Sequence, residues 1–318
     1  MDLSDARELF LGYCEIEKKL SAHTISAYRG DLEQFERQVA TQRQLACFSE
    51  TWIENAIHIW RCDPDLKAST VKRRVACIKV FVRWLFQRKL IASNFLERIH
   101  LSIKLPKRLP RNLQTSEIRK LVAVNPESIA ANLSVNVTTP WTRRDWDRLT
   151  ARLAIEILTL TGIRVGELVK VRVQDIDHGL RQIHILGKGN RERQVVFPDK
   201  VTSTRIRTYR QSAISRSGCE IPDALLLNGL GRPATDQYIR RIIRVFAQNA
   251  ELSRRVTPHM LRHTAATQLL EAGVDIRFVQ KLLGHASITT TEIYTHVADH
   301  ALRDRISRVN IRKRLEAA

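Results

Sequence analysis

Cysteine is scarce and poorly placed for building structure. Cys14, Cys47, Cys62, Cys77 and Cys219 are odd in number and scattered. No CxxC or Cys/His pair has zinc spacing, which excludes a zinc module or disulfide scaffold and suits the reduced thiols of a cytosolic protein. Long apolar runs are missing as well. The best stretch, VACIKVFVRWLF, is broken by Lys79 and Arg83 and falls short of the roughly 18 apolar residues of a membrane span. The start, MDLSDARELFLGY, is acidic and lacks an apolar core, so no signal peptide is expected. No Asp/Glu pair or DxD-like cluster suggests a metal, and no cofactor is expected. Acidic residues are the last shortage: 33 Asp and Glu stand against 53 Lys and Arg, a formal net charge of +20.

What is present is a chain of 318 residues with an ordinary hydrophobic fraction of 43%. That is enough for two domains, each with its own core, and argues against disorder. The positive charge attracts polyanions, nucleic acid first. It is unevenly placed: residues 1–66 carry a net −5 and residues 67–111 a net +12. A basic band followed by a basic domain fits a protein that holds a duplex better than it fits general solubility.

Residues 1–105 read as nearly all helix. The pattern predicts helices from Leu3 to about Lys18, Ser21 to Val39, Thr51 to Arg61 and Ser69 to Lys89. The last places Val71, Val75, Ile78, Val82 and Leu85 on one stripe and Lys72, Arg73, Lys79 and Arg83 outside it. Acids are nearly absent around it, so these cations are expected on phosphates. Residues 106–113, with Pro106 and Pro110 among basic residues, read as a linker. The second domain, 114–318, opens with a helix over Ser116–Val122. Asn125 to Trp146 reads as an insertion, and Arg152 to Leu160 as a helix. TGIRVGELVKVRVQDID follows, with Gly162 as a break, Arg164 just inside the next helix and Glu167 one turn on. Gln182–Leu186 and Arg193–Phe197 flank GKGNRER as a β-hairpin with Lys188 at its tip. Val201 to Ala250 reads as helical and carries Arg240, Arg241 and Arg244, further candidate DNA contacts.

The stretch from Thr257 to His296 reads as three short helices. His259 and Arg262 stand three apart behind Pro258, on one face, with Leu261, Ala265, Leu269 and Leu270 near the other. Gly273 closes this helix, Asp275 caps a second striped by Phe278, Leu282 and Leu283, and Gly284 ends that one before His285. Thr289 to Thr291 offer caps for a third, bearing Tyr294. A phenol is a poor nucleophile at neutral pH, with a pKa of about 10. Beside a base and a cationic clamp it can attack a phosphate. Any one of these residues alone would be ordinary packing.

Together, HMLRHTAATQLLEAG and LLGHASITTTEIYTH resemble the C-terminal box of the tyrosine recombinases, the integrase and Xer-type family. TGIRVGE resembles the first arginine box of that family, GKGNRER its active-site hairpin, and SAHTISAYRGDLEQF with STVKRRVACIKVFVRWL its core-binding domain. The resemblance implies a mainly α protein with a small β-hairpin sheet in its catalytic domain. A helical, SAM-like core-binding domain (1–105) and that catalytic domain (114–318) would form a two-domain C-shaped clamp on double-stranded DNA. It implies a site-specific recombinase acting through a 3′-phosphotyrosine, in integration, excision or resolution. The implied site is Arg164, Lys188, His259, Arg262, His285 and Tyr294, supported by Glu167. A tetramer on two DNA sites is implied, with the helix Asp299–Leu315 docking in trans, in the cytoplasm and at the nucleoid when bound to DNA. The alternatives are a type IB topoisomerase-like nicking-closing enzyme and a non-catalytic DNA-binding accessory protein.

Overall fold

The computed structural model describes residues 1–39, 44–94, 96, 112–123, 142–177, 179, 181–187, 192–198, 200–217 and 221–284. The chain divides into two compact units, Met1–Arg108 and Leu109–Ala318.

The first unit is built from α1 (Leu3–Ile16), α2 (Ala22–Gln38), α3 (Glu50–Cys62) and α4 (Ala68–Gln87). Asp2 caps α1 in a reciprocal box with Asp5, and Ser21 caps α2 by accepting from the Thr24 amide. Val71, Val75, Ile78, Val82 and Leu85 of α4 are all buried, the stripe their spacing predicts. Phe10, Phe81 and Trp84 pack beside them, with ring centroids 5.2 and 5.5 Å from Phe10. Each such side chain, once buried, stabilises by about 1.5–3 kcal/mol. The four-helix core follows from these stripes.

In the second unit, after the short α5 (Thr115–Ala123), the centre is α6 (Arg143–Thr161). It is buried on nearly every side, through Leu149, Ala151, Leu153, Ala154, Ile155, Ile157 and Leu158. Its start corrects the insertion read over Asn125 to Trp146. Thr142 accepts from the Asp145 amide at 3.2 Å, and Asp145 accepts from the Thr142 amide at 3.3 Å. This capping box begins the helix nine residues before Arg152. Trp146 is core, 1% exposed, and its indole donates to the Leu227 carbonyl at 3.2 Å.

Around α6 pack α8 (Lys200–Ser217), α9 (Asp236–Asn249) and α10 (Pro258–Glu271). The expected hairpin is β2 (Gln182–Leu186) against β3 (Glu192–Val196), antiparallel, with Ile183 opposite Val195 and Ile185 opposite Arg193. A two-residue β1 (Ile176–Asp177), not anticipated, adds a third strand beside β2. Helix does not run from Val201 to Ala250. Residues 221–235, interrupted by Pro222, Gly229, Gly231 and Pro233, form bends and turns instead. Buried Tyr209 ties this segment down by accepting from the Leu227 amide at 3.0 Å. Finally α11 (Ile276–Leu283), capped by Asp275 and ended by Gly284 in the left-handed conformation, packs on α10.

Candidate active site

Two glycines build the backbone of the site. Gly162 ends α6 at φ +64. A side chain there would be strained, and its Cβ would stand 2.7 Å from a methyl of Leu283. Gly284 ends α11 at φ +64, and a Cβ there would press the Arg193 guanidinium at 3.1 Å. The turns so formed present carbonyls of Gly162, Leu282, Leu283 and Gly284 to three arginines.

Arg262, on α10, is only 7% exposed. One terminal nitrogen donates to the Gly162 carbonyl at 2.6 Å, the other to the Leu283 carbonyl at 2.8 Å. Arg164 stands at the N-cap of a one-turn helix, α7 (Val165–Leu168), rather than inside it. It donates to the carbonyls of Leu283 at 3.5 Å and Gly284 at 3.2 Å. Two guanidiniums 98 positions apart in the sequence thus reach one oxygen. Glu167 holds Arg164 twice, through Oε1 to Nη1 at 3.0 Å and through Oε2 to the backbone amide at 2.8 Å. Arg164 keeps 41% of its side chain exposed, while Glu167 keeps 8%. Burial pushes the Glu167 carboxyl up, but hydrogen bonds from Arg193 and the Arg164 amide, with both guanidinium charges, bring it below its ordinary value.

His259 begins the same helix face as Arg262. Desolvation by its neighbours, then the charges of Arg240, Arg262 and Arg164, hold its imidazole below the usual range. The shift favours the neutral ring, the form able to accept a proton. Arg164, Glu167, His259 and Arg262 come together; Lys188, His285, Tyr294 and the helix expected over Asp299–Leu315 lie outside the described residues.

Sequence reasoning passed over Arg193. Its Nη1 and Nη2 clasp the two Glu167 oxygens at 3.0 and 2.7 Å, and its Nε donates to the Leu282 carbonyl at 3.0 Å. Strand alternation held a signal, because Arg193 shares the inward face of β3 with buried Val195. The α11 stripe needs a correction too. Val279 and Leu283 face α10, whereas Phe278, one position earlier on the helix, is 69% exposed. It sits in a groove with Val196, Val274 and Leu282.

The candidate DNA contacts divide by their partners. Lys72 and Arg83 lie exposed on α4, and Lys79 is half-buried. Arg73 is bound to the carboxylate of buried Asp31 at 2.5 Å. On α9, Arg244 is exposed, Arg240 lies 3.8 Å from Asp236, and Arg241 pairs with Asp147 at 2.8 Å over the Tyr238 ring. Among the described residues no group of three His, Cys, Asp or Glu gathers as metal ligands, and no helix is long and apolar enough to cross a membrane.

Residues 136–301 match the phage integrase family, and residues 8–89 match the phage integrase N-terminal SAM-like domain. The chain is similar to the tyrosine recombinase XerC of Oceanobacillus iheyensis, at 33% identity over 93% of both chains. It is likewise similar to that of Herpetosiphon aurantiacus, at 35% identity over 92% of this chain and 90% of the relative. The fold resembles a transposon Tn1549 integrase solved in complex with transposon right-end DNA, with a TM-score of 0.71 over 98% of this chain and 100% of the other, at 17% identity.

Proposed function

For a chain that belongs to the phage integrase family of tyrosine recombinases, and is a site-specific DNA recombinase, we propose the following division of labour at the phosphate. Arg164 and Arg262 bind the non-bridging oxygens and stabilise the charge that builds there during attack. The Tyr294 oxygen bonds to phosphorus as the bond from phosphorus to the 5′ oxygen breaks. His259 takes the phenolic proton, Lys188 supplies one to the leaving 5′ oxygen, and His285 donates a further hydrogen bond. The product is a 3′-phosphotyrosine. A 5′ hydroxyl of another strand reverses the step and rejoins DNA, so the energy of the bond is conserved within the covalent intermediate.

The observation that carries this reading is the convergence of Arg164 and Arg262 on the Leu283 carbonyl. The lowered proton affinity of His259 supports its part as base. The reading extends to assembly. Four copies hold two double-stranded DNA sites, and the helix Asp299–Leu315 of each docks on a neighbour, where the groove around Phe278 offers apolar surface. The protein acts in the cytoplasm, at the nucleoid when on DNA. The units 1–105 and 114–318 share one duplex through the basic linker 106–113.

A nicked suicide duplex made from DNA flanking the gene tests the chemistry. The wild-type protein is expected to trap as a covalent adduct, and Tyr294→Phe to give none while still binding the site. An adduct that survives this change would show that the nucleophile lies elsewhere.

A further inference from the structure

We propose that Arg193 is a positioning residue of the cleavage reaction. It occupies both oxygens of Glu167 and so leaves Arg164 tethered but open to the phosphate. The inference rests on the clamp reading of Arg164 given above.

The argument starts from one carboxylate shared by two guanidiniums. An arginine and a carboxylate frequently close on each other with two parallel bonds, a strong geometry for such a pair. Here that geometry belongs to Arg193, with contacts of 3.0 and 2.7 Å, and Arg164 keeps one side-chain nitrogen on Oε1. Exposure follows the same division: 13% for the Arg193 side chain against 41% for Arg164. Arg193 is a fixed internal part, and Arg164 is the cation left to face a ligand.

The third bond of Arg193, from Nε to the Leu282 carbonyl, anchors the same fork to the end of α11. The adjacent carbonyls of Leu283 and Gly284 are those that Arg164 and Arg262 use. A single side chain from β3 therefore sets both the carboxylate and the carbonyl row against which the clamp is aligned. Only a planar fork can do this; a lysine supplies charge without two parallel donors and a third at Nε. Gly284 belongs to the same device, because a Cβ there would crowd the guanidinium.

The test compares single-turnover adduct formation on two suicide duplexes, one with a normal scissile phosphate and one with a methylphosphonate. The methylphosphonate is uncharged, so it has less need of an aligned cation. On phosphate, Arg193→Lys and Arg193→Gln are expected to slow the step by about 10²-fold, the scale of an ångström of misplacement. On methylphosphonate the deficit is expected to shrink to a few-fold, in parallel with Arg164→Ala. A structural role alone would slow both substrates equally. If Arg164→Ala is relieved by the methylphosphonate and both Arg193 variants are not, the positioning role is wrong. Arg193→Lys cutting phosphate at the wild-type rate also overturns it. If Arg164→Ala itself is not relieved, the clamp reading falls, and the inference with it. The lysine variant keeps the charge, so it remains informative should the glutamine variant fail to fold.

Discussion

Removing the guanidinium of Arg262 takes away more than a charge. Two of its bonds reach the Gly162 and Leu283 carbonyls in a nearly closed environment. Without Arg262 the Leu283 carbonyl keeps the Arg164 donor at 3.5 Å while Gly162 loses this one, and an orphaned buried carbonyl costs about 1–3 kcal/mol. Arg262→Ala is therefore expected to slow suicide-substrate cleavage by about 10²–10³-fold and also to lower the melting temperature. A rate within a few-fold of wild type would deny its place in the clamp. The pH dependence should identify the base. Since burial and neighbouring cations hold the folded His259 pKa below its ordinary value, the ring charges only below the usual imidazole range, and cleavage in the free enzyme should be lost on the acid side. His259→Gln should flatten that acid limb; an unchanged limb would assign it to another group. At this scale the sequence was most readable where local geometry decides. Gly162, Gly273, Asp275 and Gly284 all sit where their backbone preferences put them. Strand alternation turned Arg193 inward, but its partners lie 26 and 89 positions away, and no local pattern names partners at that range.

Helices and strands set where those residues meet. The existence of α1 to α4, α10 and α11 and of the hairpin could be read from periodicity and caps, although α10 is buried on most of its sides rather than along one stripe. Two misreadings share a physical origin. The TRRDWD run is dense in charge and resembles a loop, yet its threonine and first aspartate form a cap and its tryptophan fills the core. On α11, three apolar residues suggested one stripe, but tertiary packing selected Val279 and Leu283 and left Phe278 outside. That exposed ring gives a prediction about assembly. Phe278→Glu should weaken formation of the higher-order complex on DNA, read by native gel or light scattering, while a single copy still binds. Unaltered assembly would remove this groove from the interface.

For the molecule as a whole, the charge gradient along the chain predicts how binding responds to salt. Lys72→Ala or Arg83→Ala should weaken DNA binding for all sequences alike and reduce the slope of log K against log salt by about one unit each. A titration that leaves the slope unchanged would place α4 away from the phosphates. Arg73→Ala should behave differently. Its removal leaves Asp31, 2% exposed, with Arg74 at 3.9 Å as its remaining ion pair, so the main effect is expected on thermal stability. Composition could reveal such a charge imbalance. It could not reveal which cations are already engaged inside their own unit, because that is settled by packing.

The missing side chain at Gly162 is filled by a methyl group of Leu283, a residue from the far end of the chain. The two segments are keyed to each other in shape. A chimera that imports one of them from a distant relative without its mate would inherit a collision or a hole where the arginines should align. Such grafts should therefore be exchanged in matched sets.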